Sequence, residues 1–257
     1  MSPLVGVIVT LGMLVVLPLG LELIEPGRRP VILAGAVPGA VSLWLEPGHP
    51  VTVWLAGVYL LATLVLAGRI LPRLRRLNVV EFAACTALAT PAIAAVALLA
   101  ERAAIPLFGY SGQMLALTVA HFHFAGFAAA LVAGLVSRLT GDVFAALAVP
   151  GGTLLVLAGY FAGDYAELAG SVVLTTGMWR VAWLSLRQVK GERVLIGVSG
   201  VMLVATMALA LSWALGQATG LPHPTLGVMI ATHGVGNAFG FALCSIAAWR
   251  RLRPQPL

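Results

Sequence analysis

The sequence predicts an all-α, polytopic transmembrane bundle of about nine helices, and three observations predict it. Of 257 residues, 60% are hydrophobic and 9% charged, against about 25% charged in ordinary soluble domains. The apolar runs are mostly about 18–24 residues long, which suits helices crossing hydrocarbon and exceeds the strands of a barrel. The basic residues gather in alternate loops, the pattern that orients a chain in a membrane. A single transmembrane domain over residues 1–257 is expected, with no extended hydrophilic segment. The net charge of +6 is read as topological, and no nucleic-acid partner is expected.

The elements follow in order. The first helix, Leu4–Leu23, is expected to be retained rather than cleaved. It lacks a basic leader and stops at Glu25-Pro26-Gly27. The second, Val31–Leu45, is short, contains Pro38 and ends at Glu46-Pro47-Gly48-His49-Pro50. The third runs Val51–Ile70 and the fourth Val79–Ala100, with Pro91 a kink. The fifth is Gln113–Ser137. The sixth, Val143–Phe161, carries Pro150-Gly151-Gly152, and the seventh, eighth and ninth are Tyr165–Leu186, Val194–Gly216 and Thr225–Trp249. Cys85 and Cys244 lie inside apolar runs and read as small buried residues.

With nine helices, one side collects Arg28 and Arg29; Arg69, Arg73, Arg75 and Arg76; Arg138; Arg187, Lys190 and Arg193; and Arg250, Arg251 and Arg253. That is thirteen of the fifteen basic residues. Arg102 alone falls on the other side, and Arg180 lies within the seventh helix. The expected topology is N-terminus outside and C-terminus cytoplasmic. Arg180 is expected to snorkel to the cytoplasmic surface or to pair with Glu22 or Glu81. Trp44, Trp54, Trp183 and Trp249 read as interfacial anchors.

Two stretches put polar side chains inside apolar helices. Leu115–Gly134 holds His121 and His123, and Ala231–Phe241 holds His233 and Asn237. Burying such groups in hydrocarbon is costly without partners. On this topology all three histidines lie about 12–15 Å below the outer surface. His121 and His123 are separated by about 200° on an α-helix, so at most one faces a given site. His233 and Asn237, four apart, share a face. Asp164 and Glu167 sit at the outer junction of helices six and seven and are either solvated acids or proton donors. Gly126, Gly134, Gly234, Gly236 and Gly240 suit close helix packing. No phosphate-binding loop, His-Glu-x-x-His helix or Gly-x-Ser-x-Gly elbow is present.

The stretches His121-Phe122-His123-Phe124-Ala125-Gly126-Phe127 and Thr232-His233-Gly234-Val235-Gly236-Asn237-Ala238-Phe239-Gly240-Phe241 resemble the YndJ-like family of bacterial integral membrane proteins, in its membrane portion. The resemblance implies a multi-helix membrane fold, and it locates residues better than it assigns a reaction. With the loop charges it makes the bacterial cytoplasmic (inner) membrane the expected location.

The expected function is that of an intramembrane enzyme performing acid–base chemistry, without metal or other cofactor, on a lipophilic isoprenoid- or polyketide-like substrate. Isomerisation, epoxide opening or cyclisation would suit it. In that scheme His233 and one of His121 or His123 exchange protons. Asn237 orients a substrate oxygen, and Asp164 or Glu167 supplies or relays the proton. Tyr59, Tyr160, Thr118, Phe124 and Phe241 contact the substrate. Two other readings stay open: a transporter or small-molecule sensor, and a haem- or metal-binding protein using the same histidines.

Overall fold

Most helix starts are written in a residue that can take the free N–H groups of a first turn. Ser2 accepts from the Val5 N–H ahead of Pro3, His49 Nδ1 from Val51, Asn78 from Val80 and Glu81, Asp142 from Ala145, and Thr225 from Val228. The computed structural model describes residues 1–110 and 112–257. Among these there are nine helices: α1 (Pro3–Leu21), α2 (Arg29–Ser42), α3 (Pro50–Arg76), α4 (Val79–Arg102), α5 (Gly112–Thr140), α6 (Val143–Ala162), α7 (Asp164–Gln188), α8 (Arg193–Thr219) and α9 (Leu226–Leu252). The only strand-like pairing among the described residues is the isolated bridge Leu107–Tyr110.

Seven of the helices are long and apolar enough to cross a membrane, and the chain is a multi-pass membrane protein. The exceptions have physical reasons. α2 has 14 residues, about 21 Å of helix against a hydrocarbon core of about 30 Å. α7 has 25 residues but opens on Asp164 and Glu167 and carries Arg180 and Arg187.

The chain forms two compact units. The first comprises Met1–Leu77, Cys85–Ala128 and Pro254–Leu257; the second comprises Asn78–Ala84 and Ala129–Arg253. In the first unit α1, α2, α3 and the N-terminal part of α5 surround a core that includes Met13, Leu17, Leu21, Ile32, Tyr59, Phe122 and Phe127. Glu25 receives Arg69 at 3.2 Å and Arg73 at 3.0 Å, and the Arg73 guanidinium also bonds the carbonyls of Ile24 and Leu257. Arg73 is buried, so one arginine of the basic cluster at the end of α3 is committed to the interior. Arg102 is buried too: it pairs with Glu101 and donates to the carbonyls of Ser42, Leu43 and Leu45 at the end of α2.

In the second unit α6 and α7 form the closest helix pair. Glycines recur every seven residues, at 152 and 159 on α6, and at 163 in the turn followed by 170 and 177 on α7. A Cβ at Gly152 would lie 2.6 Å from the Leu174 backbone, one at Gly159 2.5 Å from the Glu167 backbone, and one at Gly170 2.6 Å from that of Val156. The two backbones touch, as small residues permit in membrane helices. Gly163 turns the hairpin with φ 102° and ψ 173°, a conformation essentially restricted to glycine.

The hairpin decides the partner of Arg180. The start of α6 and the middle of α7 come level, so the Arg180 Nε and Nη2 fork onto Asp142 at 2.9 and 2.8 Å. Neither Glu22 nor Glu81 is its partner; Glu22 accepts the Arg29 N–H at the start of α2. Trp44, Trp54 and Trp183 are exposed as anchors should be, but Trp249 is buried, because the last turns of α9 pack on α8.

Candidate functional site

His123 sits in the first unit, where α5 widens from an α-helix into a π-helical stretch, Phe122–Ala128. π-helical turns concentrate at functional sites. α1 widens likewise at Gly12–Val16, and the two stretches are in contact. Gly12 makes that approach possible, since a Cβ there would lie 3.0 Å from the His123 Cβ.

Both nitrogens of the His123 ring are engaged. Nδ1 lies 2.7 Å from the Val119 carbonyl, and Nε2 lies 2.6 Å from the Tyr59 hydroxyl. A carbonyl only accepts, so Nδ1 carries the proton; in the neutral ring Nε2 is then an acceptor and Tyr59 donates to it. The two rings are nearly parallel, with centroids 6.0 Å apart and planes 13° apart. Both side chains are wholly buried. Gly39 of α2 closes the far side: a Cβ there would lie 2.7 Å from the Tyr59 Cβ and 2.5 Å from the Met13 methyl.

The second unit contains a parallel arrangement. α9 is π-helical over Ile230–Gly234 and Gly236–Leu243. His233 Nδ1 lies 2.8 Å from the Thr206 carbonyl, so it carries the proton, and Nε2 accepts from the Asn237 amide at 3.0 Å. The Asn237 carbonyl accepts the Thr206 hydroxyl at 2.8 Å. Thr206, Asn237 and His233 thus form a closed ring of hydrogen bonds. Gly236 and Gly240 let α9 settle against Thr206 and Met202 of α8.

The other residues singled out in the sequence take several positions. His121 is half-buried, its ring edge-on to Phe122 at 5.9 Å. Thr118 turns its hydroxyl back to the Met114 carbonyl. Phe124 and Phe241 are buried in the first and second unit respectively. Tyr160, Asp164 and Glu167 belong to the α6–α7 junction, where Asp164 is exposed and Tyr160 and Glu167 are half-buried. His121, His123, Tyr59, Thr118 and Phe124 therefore belong to one unit, and His233, Asn237, Tyr160, Asp164, Glu167 and Phe241 to the other. Among the described residues no group of three or more His, Cys, Asp and Glu side chains is placed to hold a metal ion.

Thr206 is a partner that the sequence did not single out. Its one signal is that it is the sole polar residue in the run Val201–Ala210, four residues after Met202 as Gly240 is four after Gly236. The direct bond between Tyr59 and His123 is likewise invisible in a list of depths, although both residues stand out singly.

A sequence model of the family described as YndJ-like protein matches residues 7–241, nearly the whole chain. No curated protein and no solved structure matches it.

Proposed function

The chain belongs to the YndJ-like family, and we propose that it is an integral membrane enzyme moving protons on a lipophilic, isoprenoid- or polyketide-like substrate, with Tyr59 and His123 as its acid–base pair. The observation that carries this reading is the 2.6 Å bond from the Tyr59 hydroxyl to His123 Nε2 in a wholly buried, π-helical setting.

The pair is built for a relay. A substrate proton passes to the Tyr59 oxygen as the Tyr59 proton passes to His123 Nε2. The imidazolium so formed keeps its Nδ1–H on the Val119 carbonyl. Reversing the relay onto a different substrate atom completes an isomerisation; a proton-initiated cyclisation runs the two moves in the opposite order, starting from the imidazolium, which gives its proton through Tyr59 and recovers one when the cyclised cation is deprotonated. Protons balance, and no electron leaves the substrate. General acid–base catalysis of this kind contributes about 10²–10⁴-fold. Because both side chains are buried, substrate access requires an opening of the helices around them. Orientation in the membrane follows the loop charges, with the C-terminus cytoplasmic, and the bacterial inner membrane as the site of action.

Deuterium tests the reading. Purified protein is incubated in heavy water with the lipids extracted from its native membrane. We expect one lipid class to gain deuterium, and Tyr59→Phe and His123→Gln to lower the rate by about 10²-fold or more while remaining monodisperse. Labelling no higher than in a protein-free control, or folded variants that label at the wild-type rate, would sink it.

A further inference from the structure

Asn237 carries more hydrogen-bonding capacity than its surroundings use. A carboxamide offers two N–H donors and two acceptor lone pairs. One N–H goes to His233 Nε2 and one lone pair takes the Thr206 hydroxyl. One donor and one acceptor remain without a partner among the described residues. The side chain is half-buried, as are its neighbours Gly234 and Val235, so the spare valences are not sealed in the core. Asn237 lies eleven residues after Leu226 in a 27-residue span, about 17 Å along it. At such a depth unmet polar valences are costly.

The orientation of the amide is fixed from behind. Because His233 Nδ1 donates to the Thr206 carbonyl, Nε2 must accept, and only the NH₂ end of Asn237 can face it. The Thr206 hydroxyl then holds the oxygen end. Thr206 and His233 are therefore positioning residues, and the amide presents its donor and acceptor at a set angle before any ligand arrives, which lowers the cost of binding.

We propose that Asn237 is the recognition element of a binding site for an uncharged, hydroxyl-bearing lipid. A hydroxyl both gives and takes a hydrogen bond, matching the spare donor and acceptor together. A charged headgroup does not suit the place: none of the side chains bonded to Asn237 is a cation, and mid-span burial disfavours charge. The proposal goes beyond the enzyme reading and does not rest on it. Binding itself stands apart.

The test uses a long-chain alcohol bearing a photoreactive diazirine, and its methyl ether, with the full-length protein in detergent. On illumination the alcohol should label peptides of α8 and α9 about tenfold more than the ether, the discrimination expected of about one hydrogen bond. Asn237→Leu should abolish that preference, Thr206→Val should weaken it, and Asn237→Asp at a pH that keeps the acid protonated should retain part of it. Equal labelling by alcohol and ether in the wild type overturns the proposal, as does a preference that survives Asn237→Leu. If the preference holds while no lipid gains deuterium, the binding site stands and the enzyme reading falls. If deuterium enters a lipid without the preference, the reverse is true.

Discussion

Asp142 does two jobs with one carboxylate. It caps α6 through the Ala145 N–H at 2.8 Å and holds Arg180 of α7 in a fork. Partial burial pushes its carboxyl up, but the Ala145 N–H and Arg180 outweigh that and hold it below the usual range. A depressed carboxyl stabilises the fold above its ordinary value and loses that contribution as the pH falls through the depressed one. Thermal unfolding in detergent should therefore show the wild type losing stability on acidification below about pH 4, and Asp142→Asn should flatten that dependence while lowering stability at neutral pH. The same residue shows what a sequence hides. That Arg180 must snorkel or find an acid is legible from its place in an apolar run, but which acid it meets depends on how far the α6–α7 hairpin slides. His121 and His123 pose a similar problem, because the phase of α5 changes where the helix widens, and a count at 3.6 residues per turn assumes that it never does.

Among the elements, the α6–α7 hairpin makes the sharpest demand. Gly152 and Gly151 are neighbours, yet a Cβ at Gly152 would meet the Leu174 backbone at 2.6 Å, while one at Gly151 meets nothing within 4 Å. Gly152→Ala should destabilise the protein by about 1–3 kcal/mol through forced separation of the helices. Gly151→Ala should be neutral or stabilise it by about 0.5–1 kcal/mol, since alanine favours the helix. Unfolding midpoints of the two variants in one detergent make the comparison. The seven-residue glycine spacing was available in the sequence; the backbone contact was not, because a glycine in an apolar run equally suits an open, lipid-facing surface. Helix starts were more legible, since Ser2-Pro3, His49-Pro50, Asn78, Asp142 and Thr225 act through neighbours two or three residues away.

For the whole molecule the legible part was the membrane character and the number of helices, which depend on composition and on punctuation by Pro, Gly and charge. Pairings such as Glu25 with Arg73, or Asn237 with Thr206, join residues 48 and 31 positions apart and leave no mark on local pattern. The loop charges still make a directional prediction. In a protein whose Cys85 and Cys244 are replaced by Ala, single cysteines at Lys190 and Arg253 should resist a membrane-impermeant maleimide in intact cells and react once the cells are opened. Cysteines at Gly109 and Leu221 should react in both. The opposite pattern would reverse the topology.

The buried Arg102 imposes an order on biogenesis. The last carbonyls of α2, at Ser42 and Leu43, are satisfied by a guanidinium that is 60 and 59 residues further along the chain. At about 5–20 residues per second, the ribosome needs several seconds to produce that partner. For that interval α2, already too short to hold the hydrocarbon alone, has its C-terminal carbonyls uncapped by the finished protein. The end of α2 reaches its final pairing only when α4 arrives, so α1 and α2 are not a finished hairpin that later helices merely join. A chain stopped before residue 102 should leave α2 outside the bilayer.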